Sequence, residues 1–145
     1  MIARELEKQL IDAVEQYPVV FVTGPRQSGK STLLKYLFSD YQYVSLEDLD
    51  NREFARNDPR SFRATYNSKT IIDEAQHVPS LFSYIQTKVD SAGETGMYIL
   101  SGSQNFLLMQ SITQSLAGRV AVFKLLPFSH KELANAGIVQ SVEKE

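Results

Sequence analysis

The chain has 145 residues, 43% of them hydrophobic, which is enough for one domain with its own core. Fifteen basic residues against seventeen acidic ones leave a net charge of −2, which argues against a dedicated nucleic-acid binder with a basic face. The absence of cysteine excludes disulfides, thiolate metal sites and cysteine nucleophiles, and His77 and His130 are too few for a zinc site on their own. The N-terminal stretch is charged throughout and no apolar run reaches membrane-spanning length, so a cytoplasmic domain without membrane contact is expected.

Residues 2–16 place Ile2, Leu6, Leu10, Ile11 and Val14 at helical spacing, and Pro18 stops the helix. "VVFVTG" (19–24) is apolar on both faces and reads as a buried parallel strand that ends at a glycine. A helix follows over 30–38 with Leu33, Leu34, Leu37 and Phe38 inward, then a second strand over 41–46. Residues 47–69 are polar, with Phe54 and Phe62 as core anchors of short helices. "KTIIDE" (69–74) is a third strand, 80–90 a helix, 97–102 a fourth strand, 105–118 one or two helical turns and 119–126 a fifth strand. Ser129, Glu132 and Gly137 bracket a last capped helix. Strands alternating with helices predict an α/β fold with a parallel sheet covered on both faces. The expected layout is an N-terminal helix over 1–18, one domain over 19–137 and a tail over 138–145.

"GPRQSGKS" runs from Gly24 to Ser31 and satisfies G-x-x-x-x-G-K-S/T at every fixed position, between a predicted strand and a predicted helix. Gly24 and Gly29 allow the backbone of Pro25, Arg26, Gln27 and Ser28 to turn its N–H groups toward phosphate oxygens. The helix that starts near Lys30 and runs on through Thr32 adds the positive end of its dipole. Lys30 is placed to meet the β- and γ-phosphates of a nucleotide, and the Ser31 hydroxyl to ligate Mg²⁺. The expected cofactors are therefore ATP and Mg²⁺.

Asp73 and Glu74 end the apolar run Thr70-Ile71-Ile72, where a carboxylate pair is costly unless a cation or a polarised water uses it. Asp73 is expected to hold the metal, through a bound water, and Glu74 to take a proton from the attacking water. In "ILSGSQN" (99–105), Ser101, Ser103 or Asn105 could reach the γ-phosphate or that water, with Ser103 carried forward as the catalytic candidate. Simple turn chemistry accounts for these residues equally well. His77 is read as a half-buried surface residue. Arg52, Arg56, Arg60 and Arg63 recur at helical spacing, but Pro59 interrupts them and acids interleave, so an ion-paired surface is the expectation.

"FVTGPRQSGKSTLL", "YVSLED", "DPRSF", "IIDEAQHVPSLF", "LSGSQNFLL", "SLAGRVAVFKLLPFS" and "KEL", in this order, resemble a prokaryotic family of AAA-superfamily ATPases over about residues 2–136. The resemblance implies ATP binding and hydrolysis on a P-loop fold with five parallel strands in the order 5-1-4-3-2. Members usually continue into a C-terminal domain of unknown function, so a further domain or a protein partner is implied as the part that moves. The resemblance also implies that Arg119, directly after "SLAG", is an arginine finger acting on a neighbour's γ-phosphate, while an ion pair with Asp or Glu that fixes the helix-to-strand turn accounts for it equally well. Self-association and nucleic-acid contact stay open. Two other readings compete. "DEAQ" and "SGS" suggest a helicase-like motor, which would need a second RecA-like domain, and a slowly hydrolysing signalling switch is the other alternative. A GTPase is disfavoured because no Asn-Lys-x-Asp element is present.

Overall fold

The computed structural model describes residues 2–25, 29–103, 106–125 and 138–139. The elements run α1 (Ile2–Gln16), β1 (Val19–Thr23), α2 (Lys30–Leu37), β2 (Gln42–Ser45), α3 (Leu49–Asn57), α4 (Pro59–Thr65), β3 (Thr70–Asp73), α5 (Leu81–Ala92), β4 (Tyr98–Gly102), α6 (Phe106–Leu116), β5 (Val120–Leu125) and β6 (Ile138–Val139). A single 3₁₀ turn, Ala75–His77, lies between β3 and α5.

The sheet order is β2-β3-β4-β1-β5-β6. The first five strands are mutually parallel, which is the expected order 5-1-4-3-2 read from the other edge. β6 adds a short antiparallel pairing, Leu125 with Ile138, within the stretch read from sequence as a tail. The capped helix expected over 129–137 lies outside the described residues.

All five residues of β1 are buried, and alternation along the strand divides them between two cores. Val19 and Phe21 pack with Ile72, Tyr98 and Leu100 under α3–α6, whereas Val20 and Val22 pack with Ile71, Ile99 and Phe123 under α1 and α2. Helices therefore cover both faces, as a buried parallel sheet requires. α6 runs eleven residues, about three turns where the sequence suggested one or two. Ile112 and Leu116, one turn apart, are fully buried, with Met109 packed against the same core. That apolar stripe supports a helix over its whole length.

Two acids start the helices of the polar segment. The Asp48 carboxylate accepts from the Asn51 N–H and that of Asp58 from the Ser61 N–H, with Pro59 in the first turn of α4. The arginines differ from the expected ion-paired surface. Arg52 donates to the carbonyls of Leu46 and Glu47, Arg56 to that of His77 and Arg63 to that of Tyr84. They fasten α3 to the segments that follow β2 and β3, and α4 to α5. Among the described residues no helix is long and apolar enough to cross a membrane.

Gly96, just before β4, has φ 65°, and a Cβ there would come within 2.8 Å of the Val14 carbonyl oxygen and 3.0 Å of the Tyr41 hydroxyl. That hydroxyl also donates to the Gly96 carbonyl at 2.6 Å. Gly96→Ala is expected to destabilise the fold by about 1–3 kcal/mol, from left-handed strain and the displaced contact together. Urea unfolding measures this, and an unchanged midpoint would contradict it.

Candidate nucleotide site

Because the strands are parallel, their C-terminal ends share one rim of the sheet. Thr23 of β1 is in register with Gly102 of β4, and the Gly24 N–H donates to the Gly102 carbonyl at 3.3 Å. Ser45 of β2 is paired with Asp73 of β3. The glycine-rich loop thus leaves the middle of the sheet with only β4 between it and β3, whose end carries the acids, a crevice where open α/β sheets bind ligands.

Gly29 sits at φ 85° as the residue before α2, a left-handed conformation that favours glycine. Lys30 follows at only 4% exposure, and its Nζ donates to the Pro25 carbonyl across the loop at 3.3 Å. A buried ammonium with a neutral partner is costly, and a phosphate chain would repay the cost. Thr32 lies in the first turn of α2. Arg26, Gln27 and Ser28 lie outside the described residues, as does Asn105.

Ser31 and Asp73 are brought together, with the hydroxyl donating to Asp73 Oδ2 at 2.6 Å. Asp73 is 4% exposed, and its carboxylate accepts three further hydrogen bonds. The Tyr43 hydroxyl reaches Oδ2 at 2.5 Å, the Glu74 N–H reaches Oδ1 at 3.0 Å, and the Ser101 hydroxyl also donates to Oδ1. Burial alone would raise the Asp73 pKa. The hydrogen bonds from Ser101, Ser31, Tyr43 and the Glu74 N–H outweigh it and hold the carboxyl below its ordinary value. The Tyr43 hydroxyl is pushed up, first by burial and then by its bond to the Asp73 charge. An ionised carboxylate beside a serine hydroxyl is an all-oxygen donor set that suits a hard divalent cation such as Mg²⁺.

Glu74 leaves the strand with φ 56° and ψ 48°, a left-handed conformation unusual for a residue with a side chain. Its carboxylate accepts from the Gln76 amide at 2.7 Å, while Gln76 Oε1 accepts from the Ser103 N–H at 3.2 Å. Gln76 therefore ties the loop after β3 to the loop after β4. Of the three residues weighed in "SGSQN", Ser101 points its hydroxyl at Asp73, and Ser103 meets the Glu74 side through its backbone. His77 is half-buried, and its ring nitrogen lies within 4.8 Å of the carboxylate oxygens of Glu74 and Glu47.

Arg119 lies at the other rim, since its carbonyl accepts from the N–H of Val19, the first residue of β1. Its guanidinium grips Asp90 in a two-point bond, 2.6 Å from Nε to Oδ1 and 3.0 Å from Nη2 to Oδ2. Nη1 donates to the Ala117 carbonyl at 2.8 Å. In its own chain Arg119 is a strand's length from Lys30 and Glu74.

Sequence reasoning missed Tyr43 and Gln76. The signal for Tyr43 was its alternation with Ser45 along β2, which puts both side chains on the face that Asp73 presents to α2. Gln76 stands two residues beyond Glu74 in "DEAQ", and only the left-handed turn at Glu74 folds it back onto that acid.

Two curated mycobacterial proteins, from Mycobacterium tuberculosis and Mycobacterium bovis, both uncharacterized, are each 30% identical over 135 residues. The match covers 92% of this chain and 30% of theirs, so the chain spans under a third of the relatives' length. Among solved structures, a Walker-type ATPase of Pyrococcus abyssi aligns with TM-score 0.58 at 19% identity, over 88% of this chain and 54% of that one. A DNA replication initiation factor aligns with TM-score 0.53 at 17% identity, over 83% and 44%. AMPPCP-bound DnaA from Aquifex aeolicus aligns with TM-score 0.50 at 18% identity, over 95% and 44%. At such identities these structures establish the fold alone. The AAA domain family matches residues 16–134, which span both the glycine-rich loop and the acid pair, and the chain belongs to that family of P-loop ATPases.

Proposed function

We propose that this AAA domain binds Mg-ATP in the loop from Gly24 to Ser31 and hydrolyses it, and that its nucleotide state drives a conformational change in an adjoining region or partner. The observation that carries the reading is the contact between Ser31 and Asp73, set one residue from the buried Lys30. When bound, Mg²⁺ would supply positive charge that neutralises the β- and γ-phosphate oxygens. Ser31 Oγ would hold it directly, and Asp73 through a water. Lys30 gives up the Pro25 carbonyl for phosphate, a stronger acceptor for a buried ammonium. Glu74, steadied by Gln76, accepts the proton of the attacking water. Arg119 serves a neighbouring copy, because the far rim of its own sheet keeps it from its own site.

Lys30→Ala is expected to weaken ATP binding about 10- to 100-fold, the value of a charge-assisted bond to a buried acceptor. Calorimetric titration reads this directly, and an unchanged affinity would overturn the phosphate assignment.

A further inference from the structure

The donors on Asp73 fill its carboxylate. Oδ1 takes the Ser101 hydroxyl and the Glu74 N–H, and Oδ2 takes the hydroxyls of Ser31 and Tyr43. An ionised carboxylate offers about four lone-pair positions, so the four donors leave no place for another. A metal-bound water that donates to Asp73 requires one of them to leave.

Three of the four are poorly placed to do so. Ser101 is fully buried on a central strand. The Glu74 N–H belongs to the backbone that continues from Asp73 itself. Ser31 can go on donating its proton to Oδ2 while its oxygen lone pairs face a cation. Tyr43 differs. It is 37% exposed and stands on β2, the edge strand, from which a phenol ring turns into solvent without disturbing the core. Besides its bond to Asp73, the ring is met by Lys35, whose Nζ lies 4.3 Å from the ring centroid. Lys35 is one turn beyond Ser31 on α2, so the same helix face carries the metal hydroxyl and the clasp on the tyrosine.

We propose that Tyr43 gates the metal position: its hydroxyl occupies the place on Asp73 Oδ2 that a Mg²⁺-bound water takes, and the side chain swings outward as the metal–nucleotide complex binds. The gate rests on the Mg-ATP reading and adds a residue that opposes metal uptake. A tyrosine that only braced Asp73 would have the reverse effect, because its loss would weaken metal binding.

The test compares the affinity of the 145-residue chain for a non-hydrolysable ATP analogue with Mg²⁺ and with EDTA. Tyr43→Phe keeps the ring and its contact with Lys35 but removes the competing hydroxyl. The ratio of the two affinities is expected to rise about three- to tenfold, part of the value of one hydrogen bond to a charged acceptor. In the parent chain, nitration of Tyr43 by tetranitromethane, read on its peptide by mass spectrometry, should speed up with analogue and Mg²⁺ but not with analogue and EDTA. A ratio that is unchanged or lower in Tyr43→Phe overturns the gate, as does a nitration rate indifferent to Mg²⁺. A parent chain that binds the analogue under neither condition overturns the nucleotide reading itself, and the gate with it.

Discussion

Glu74→Gln is expected to leave Mg-ATP affinity close to that of the parent and to slow hydrolysis by about 10²–10⁴-fold, the usual cost of removing a general base. The substitution is nearly isosteric, so the turn at φ 56° and a contact to Gln76 survive while only the proton acceptor is lost. Asp73→Asn should behave in the opposite way. It exchanges one acceptor oxygen for a donor in a site where Ser101, Ser31, Tyr43 and the Glu74 N–H all donate, so Mg²⁺-dependent binding suffers first. Single-turnover hydrolysis beside equilibrium binding separates the two. Parent-like turnover in Glu74→Gln, in the same state of association, would remove Glu74 from the role of base.

Arg119→Ala is expected to abolish turnover, by up to about 10³–10⁵-fold, the scale of a missing arginine finger. Arg119 is held by Asp90 in an exposed pair, with side-chain exposures of 32% and 45%, and such a pair adds little to stability. The melting temperature of Arg119→Ala should therefore stay near that of the parent. A finger must leave Asp90 to reach a neighbour, so Asp90→Ala should preserve turnover or increase it. Mixing Arg119→Ala chains with Glu74→Gln chains should restore part of the activity, because each supplies what the other lacks. If Asp90→Ala and Arg119→Ala lose turnover and stability alike and no mixture rescues them, the arginine fixes the turn between α6 and β5 and does nothing more.

The sheet was legible because its strands are short apolar runs between strong punctuation. Gly24 and Pro18 bound β1, and the apolar run before Asp73 marks β3, so strand existence followed from burial on both faces. The strand order came with the family resemblance rather than from periodicity. The loop from Gly24 to Ser31 was legible because phosphate binding demands glycines, a lysine and a hydroxyl at fixed spacing. Tyr43 and Gln76 escaped for a shared reason. Their roles depend on neighbours brought close by strand pairing or by a left-handed turn; alternation gives the face of Tyr43 but not the Asp73 it meets there. The length of α6 was underestimated although Met109, Ile112 and Leu116 repeat at helical spacing along it. Arg52, Arg56 and Arg63 donate to carbonyls, which every residue carries and no sequence pattern advertises, so the expected ion pairs were not the contacts found for them.

The left-handed backbone at Glu74 carries a consequence for how this domain can change. A side chain there costs about 1–2 kcal/mol that glycine would not. Substitution by glycine would relax the turn and delete the acid in one step, so selection for robustness and selection for turnover pull this position in opposite directions. On the proposed reading of Glu74 as the base, a lineage that gave up hydrolysis and kept nucleotide binding would drift toward glycine at position 74.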